Sequence, residues 1–180
     1  MSYYSQIQQL AQVNRQNKII GKVEKWRAHR DNLLHRGFTA IIVCNNQVVV
    51  QHRKHPVFDA VYDLSFSSHQ IEVNGHWEDG ADAVRRGLER EWNLDKADLT
   101  QSPKLLTKFY YQAKDPNSLY SEHEIDYLYL VELARLPQPN LDYAYGMAVI
   151  DKTEIKDLPR RFSHLSPWVR EFHQLTGLIG

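Results

Sequence analysis

The feature that most limits the fold is one amphipathic helix with its own start and stop signals. Asp79 supplies an N-cap, Asp82 places negative charge in the first turn, and Asn93 suits a C-terminal exit. Between them Ala83, Val84, Leu88 and Trp92 recur at three- and four-residue spacing and make one apolar face. The segments on either side are short and rich in β-branched and aromatic residues, which favours strands. Strands before and after a central helix, followed by a terminal helix, indicate a mixed α/β fold in which helices flank a sheet. No composition shift or linker marks a boundary, so residues 1–180 read as a single domain.

Along the chain, Met1 to Gln6 reads as a frayed end. Leu10–Val13 and Ile19–Val23 read as a weak hairpin, and Glu24 to Arg30 as a helical turn carrying Lys25 and His29. Gly37–Cys44 and Val48–Val50 form a hairpin about the turn-forming Asn45-Asn46 pair, and the chain leaves it through the basic segment Gln51–His55. Tyr62–Phe66 is a short strand running into a polar turn, Ser65 to His69, and Val73 to Trp77 is a loop. Leu105–Ala113, Ile125–Leu133 and Ala144–Ile150 are strands, the second with an apolar run suited to burial on both faces. Asp151 to Lys156 starts a helix, and Ser166-Pro167 opens the last one as N-cap and first helical residue.

The charge balance excludes some partners. With 22 basic and 22 acidic side chains the formal charge is zero, which argues against nucleic acid, since phosphate neutralisation needs a basic surface. A small anion held by two or three local cations remains open. The single cysteine, Cys44, leaves no internal disulfide or thiolate cluster, and its apolar neighbours suggest a buried, inert thiol. No apolar run is long enough to span a membrane and no signal peptide is evident, so the expectation is a cytoplasmic protein without a membrane partner.

Two sets of residues point to chemistry. Glu122 and Glu124 lie two apart at the start of a strand and so project together, with His123 opposite; paired carboxylates raise each other's pKa unless a cation sits between them. His29, His35 and His69 all lie beside turns or strand ends. Three imidazoles and two carboxylates suit Zn²⁺ or Mn²⁺ better than Ca²⁺. Taken singly, each histidine reads as a surface or capping residue, and sequence spacing does not bring the five together. Glu91, in the last turn of the central helix, meets the negative end of the helix dipole. The plain reading is a solvated helix end paired with Arg86 or Arg90; a bound cation is the other.

The segments LLHRGF (Leu33–Phe38), SSHQ (Ser67–Gln70), EHEIDYL (Glu122–Leu128) and SPW (Ser166–Trp168), in this order, resemble the type I isopentenyl-diphosphate isomerases of the Nudix superfamily. The likeness runs from about Leu10 to Phe172, and Glu78 with Arg86 to Glu91 looks like a degenerate Nudix box. It implies a Nudix α/β/α sandwich, a mixed sheet flanked by helices. It implies a metal on His29, His35, His69, Glu122 and Glu124, with Mn²⁺ or Zn²⁺ the ions of choice. It further implies Mg²⁺ with the diphosphate on Glu91, Lys25 and Arg53 as diphosphate-binding cations, and Ser67, Glu124, Tyr111 and Trp168 as catalytic residues. The expected partner is a small-molecule prenyl diphosphate; the protein would act as monomer or homodimer. The reaction implied is protonation of an unactivated alkene to a tertiary carbocation, then loss of a neighbouring proton.

Three positions depart from the family pattern. Ser67 stands where the family has its catalytic cysteine, and a hydroxyl is a far weaker acid than a thiol of pKa near ~8.5. Gly87 stands where an arginine is common, and Asp59-Ala60 where a Pro-Gly pair is usual. Besides the isomerase, the sequence therefore admits a protonation-initiated conversion of another prenyl diphosphate, such as cyclisation, and a Nudix hydrolase of an organic diphosphate. Against hydrolysis, Arg86-Gly87-Leu88-Glu89-Arg90-Glu91 lacks two of the three acids of a hydrolytic box.

Overall fold

The computed structural model describes residues 3–173. The chain opens with a single turn of 3-10 helix, Tyr3–Ser5, where the sequence suggested fraying. A hairpin follows, β1 (Gln9–Val13) with β2 (Ile19–Glu24), and then the short helix α1 (Lys25–Arg30), capped by the Glu24 carboxylate, which accepts from the Trp26 and Arg27 amides. β3 (His35–Cys44) and β4 (Gln47–Arg53) turn about Asn45 and Asn46, both left-handed at φ 48° and 64°, the conformation a two-residue hairpin turn with the twist of its strands requires. Gln51 to Arg53 belong to this strand and do not lead out of it. The predicted strand Tyr62–Phe66 is two pieces, β5 (Tyr62–Leu64) and β6 (Phe66–Ser68). A small hairpin, β7 (Glu72–Val73) and β8 (His76–Trp77), occupies the expected loop. Helix α2 (Gly80–Trp92) starts at the Asp79 cap and ends at left-handed Asn93. The chain continues through β9 (Lys104–Lys114), β10 (Ser121–Leu133), β11 (Ala144–Asp151), a 3-10 segment (Lys152–Asp157), α3 (Leu158–Arg161) and α4 (Pro167–His173).

All strands but β7 and β8 join one mixed sheet organised on β3. β10 runs parallel to the whole of β3 on one side, while β1, β6 and the start of β4 meet it antiparallel on the other. Side chains alternate between two cores. Ile41, Val48, Val50 and Leu128 face Leu158, Trp168 and Phe172, whereas Phe38, Ala40, Ile42, Val49 and Val131 face Ala83, Val84, Leu88 and Trp92 of α2. Each fully buried large apolar side chain of that helix contributes about 1.5–3 kcal/mol. The result is the α/β/α sandwich, the sheet covered on both faces. Among the described residues no helix is long and apolar enough to cross a membrane.

Two departures from the family pattern have physical accounts here. A Cβ at Gly87 would overlap the buried Phe66 ring, so the helix approaches the sheet too closely for an arginine there. Gly87→Arg is expected to cost about 1–3 kcal/mol by overpacking, lowering the melting temperature by roughly 2–12 °C in thermal unfolding. Ala60 holds a left-handed φ of 56°, a conformation that favours glycine, and its amide donates to Arg53 O while Asp59 accepts from the His55 amide.

Candidate active site and metal centre

Three pieces of local geometry bring the five metal candidates together. In α1, Lys25 and His29 lie four residues apart and share one buried face. The parallel register of β3 and β10 sets His35 beside Glu124, and the two-residue repeat of β10 puts Glu122 on the same side. The end of β6 delivers His69. One ligand atom from each of the five lies within 4.8 Å of the others, and all five side chains are buried. Glu124 Oε1 is 2.9 Å from His69 Nε2 and 3.2 Å from His35 Nε2; Glu122 Oε2 is 3.2 Å from His29 Nε2. A Cβ at Gly37 would overlap the Glu124 carboxyl, so this glycine makes room for it.

The donor set fits a divalent transition ion. His29 Nδ1 bonds to Lys25 O at 2.6 Å and His35 Nδ1 to Leu33 O at 2.7 Å, so each Nδ1 carries the proton and each Nε2 turns its lone pair to the cluster. His29 Nε2 and Glu122 Oε2 are buried without a hydrogen-bond partner, which costs free energy unless a further group satisfies them. Burial raises the Glu124 carboxyl, but the His35 and His69 bonds and charges outweigh it and hold this acid well below the usual carboxylate range. Burial also pushes the His69 imidazole down to about 3, leaving it neutral. Burial depresses His29 too, yet the neighbouring Glu122 charge prevails and raises it. A cation held by these ligands competes with protons for them.

A cavity adjoins the cluster. Tyr111, opposite Glu124 in the β9–β10 register, donates its hydroxyl to Glu124 Oε2 at 2.6 Å; burial, aided by the Glu124 charge, keeps that phenol protonated well above its usual value. Trp168 is buried, its ring 5.8 Å from Tyr111, with Nε1 donating to Asp63 Oδ1 at 2.7 Å. Ser67 reaches the same cavity from β6, on the opposite side of β3 from Glu124, and bonds to Thr39 Oγ1 at 3.0 Å. Lys25, Arg53 and Arg90 make its cationic end. The free space is only ≈ 10 Å³. The Tyr3 ring lies 4.0 Å from the Arg90 guanidinium carbon and 4.9 Å from Lys25 Nζ. Burial raises the Tyr3 hydroxyl, but Lys25, Arg90, Arg86 and the Ser68 bond together bring it down to about 7. The phenol thus occupies ground suited to an anion.

The remaining predicted residues separate from the cluster. Glu91 lies outside the five-residue group and is buried, correcting the solvated helix end: Arg90 Nη2 bonds to it at 2.6 Å and Gln51 Nε2 at 3.1 Å. Arg86 meets Glu78 in a two-point pair and also donates from Nη2 to His69 O at 2.9 Å. The Ser65–His69 turn is corrected too, since its middle is strand β6; Ser65 Oγ donates to Val49 O and accepts from the Ile42 amide. Sequence reasoning gave no part to Asp63, Thr39 or Asp126. The one signal for Asp63 is indirect: it is the single acid of β5.

No family model matches the chain. It is 29% identical over 154 residues to isopentenyl-diphosphate Delta-isomerase 1 of Mesocricetus auratus, a match spanning 77% of this chain and 66% of that relative's length. It is 27% identical over 147 residues to the isopentenyl-diphosphate Delta-isomerase of Serratia proteamaculans, over 81% and 77% of the two chains. Among solved structures, DR0079 from Deinococcus radiodurans superposes with a TM-score of 0.68 at 16% identity, covering 93% of this chain and 98% of that one. The MutT NUDIX hydrolase from Burkholderia pseudomallei gives 0.55 at 18%, covering 78% and 96%. The chain therefore has the Nudix fold, and its sequence is similar to that of the isopentenyl-diphosphate isomerases.

Proposed function

We propose that this protein, read as a single domain over residues 1–180, is a metal-dependent isomerase of isopentenyl and dimethylallyl diphosphate or a closely related prenyl diphosphate. One observation carries the reading. A carboxyl–phenol pair, Glu124 with Tyr111, and a hydroxyl, Ser67, reach one cavity from opposite sides of β3, beside the buried Trp168 indole. Alkene isomerisation needs this arrangement: a proton given on one face, a proton taken on another, water excluded, and an aromatic face for the cation between.

His29, His35, His69, Glu122 and Glu124 would hold a Mn²⁺ or Zn²⁺ ion, which when bound supplies positive charge that fixes the Glu124 carboxylate and tunes its basicity. Lys25, Arg53 and Arg90 would bind the diphosphate with Glu91 holding its Mg²⁺, and Tyr3 would give way to the anion. Tyr111 orients the free Glu124 oxygen toward the reacting carbon. Trp168 offers its ring face to the carbocation.

Incubation with Mg²⁺ and Mn²⁺ and either diphosphate in deuterated water tests this. Deuterium in the allylic product is the expected result, and Ser67→Cys is expected to increase it. Phosphate or pyrophosphate release without exchange would replace the reading with hydrolysis, the activity named for the Burkholderia neighbour. Turnover of a longer prenyl diphosphate alone would favour protonation-initiated conversion, such as cyclisation.

A further inference from the structure

Asp63 is a buried carboxyl to which the mechanism so far gives no task. It is the middle residue of β5, and its side chain is wholly enclosed. Its two oxygens are divided between two residues that line the cavity, Trp168 and Arg53. Oδ1 accepts from Trp168 Nε1 at 2.7 Å and from Ser166 Oγ at 3.4 Å; Oδ2 meets Arg53 Nη1 at 3.4 Å.

Anchoring α4 does not explain the charge. The approach to that helix is already sewn to β5 by main-chain bonds, from the Tyr62 amide to His164 O at 2.7 Å and from the Ser166 amide to Tyr62 O at 2.9 Å. An apolar side chain would fill the same place without the desolvation cost of a buried carboxylate. What the carboxylate adds is a fixed negative acceptor at the edge of the indole. The rest of that ring is closely held: Phe58 meets it at 5.5 Å and 87°, Tyr111 at 5.8 Å and 45°, and the Arg53 guanidinium carbon lies 5.3 Å from its centre.

We propose that Asp63 is a positioning residue that holds the Trp168 indole and the Arg53 guanidinium in one setting and makes the ring a better host for positive charge, so that the ring meets the substrate carbocation while the guanidinium holds the diphosphate; this deepens, and rests on, the isomerase reading. The carboxylate acts on the ring in two ways. By accepting from Nε1 it fixes the plane of the indole. A negative acceptor on that N–H also shifts electron density into the ring, which strengthens the attraction of its face for a cation. Burial raises the Asp63 carboxyl to about 6, against the lowering pull of Arg53 and of the Trp168 bond, so at pH 8 it is the carboxylate. Asp63 touches no reacting atom and passes no proton.

Two saturated diphosphates shaped like the substrate test this by calorimetry at pH 8. Dimethylaminoethyl diphosphate carries an ammonium where the carbocation forms; isopentyl diphosphate is neutral there. Wild type is expected to prefer the ammonium. Asp63→Asn keeps an oxygen acceptor but no charge; it is expected to cut that preference by about 3–30-fold and to lower kcat by a similar factor. Any loosening of Arg53 weakens both probes alike and cancels in the ratio. Trp168→Phe is the control: in that background Asp63→Asn should leave the preference almost unchanged, because the ring no longer carries an N–H. An undiminished preference in Asp63→Asn alone overturns the inference. So does an equal loss with and without the indole, which would make Asp63 a charge acting directly on the ligand. Wild type that takes up no deuterium in turnover removes the isomerase reading and this inference with it; uptake together with either of the two preceding results removes the inference alone.

If Asp63→Asn does not fold, the indole protons of wild type decide. Trp92 Nε1 is buried without a hydrogen-bond partner, whereas Trp168 Nε1 has the carboxylate. In nitrogen-15 tryptophan-labelled protein the Trp168 indole proton, assigned by its loss in Trp168→Phe, should lie well downfield of the Trp92 one. A Trp168 signal level with Trp92 or upfield of it overturns the proposal.

Discussion

Glu124→Gln is expected to reduce isomerase turnover by at least ~10⁴ while leaving the protein folded. Three effects compound. The amide cannot accept or return a proton, which alone removes the ~10²–10⁴ typical of a general acid–base group. It also removes a charged ligand from a cluster in which Glu124 Oε1 meets both His35 and His69. Finally, Oε2 no longer receives the Tyr111 hydroxyl as an ionised acceptor. The fold should tolerate the change because glutamine is nearly isosteric with glutamate and the space beside Gly37 is retained. Glu122→Gln makes the informative contrast. Among the described residues Glu122 is ion-paired with His29 and not with His35 or His69, so its loss should weaken the ion but not the proton transfer, and added Mn²⁺ or Zn²⁺ should restore much of the activity. Deuterium exchange at increasing metal concentration separates the two. Recovery of Glu124→Gln by metal would show that Glu124 only holds the ion and would end its role as acid or base.

The contrast between those two glutamates shows where sequence reading stops. Their common direction was legible, since two residues apart on a strand share a face, and so was the length of α2, whose limits Asp79 and Asn93 write into the chain. The nearness of His35 to Glu124 was not, because 89 positions separate them and only the parallel β3–β10 register, a product of long-range packing, makes them neighbours. The Ser65–His69 stretch misled for a related reason. Serines favour turns when water or local backbone satisfies them, yet here Ser65 bridges Val49 O and the Ile42 amide inside the sheet. Tertiary context overrode local preference. Glu91 was misread as solvated because nothing local announces that Gln51 of β4 and Arg90 will enclose it. Asp63 escaped notice altogether: a single acid in a strand ordinarily faces water, and its burial depends on α4 folding back over β5, from 105 residues away, to supply Trp168.

Removing the bound ion is expected to lower the melting temperature by roughly 8–16 °C. An ion at a thousand times its dissociation constant stabilises the native state by about 4 kcal/mol, and a domain of this size shifts by about 2–4 °C for each of those. The cluster gives the effect its size and sign. Without the cation, His29 Nε2 and Glu122 Oε2 lie buried with no hydrogen-bond partner, and two carboxylates share one enclosed space. In the unfolded chain the five ligands are scattered between positions 29 and 124, so ion binding favours the native state almost alone. Calorimetry with excess Zn²⁺ or Mn²⁺, then with excess chelator, reads the difference. The gap should narrow as pH falls from 7.5 to 5.5, because protons compete for the imidazoles and for Glu122, and the native His29, raised by its glutamate, takes one up early in that descent. A Glu122→Gln, Glu124→Gln double variant should melt at one temperature under both conditions. If wild type does the same, these five side chains bind no ion tightly, and the metal half of the mechanism falls.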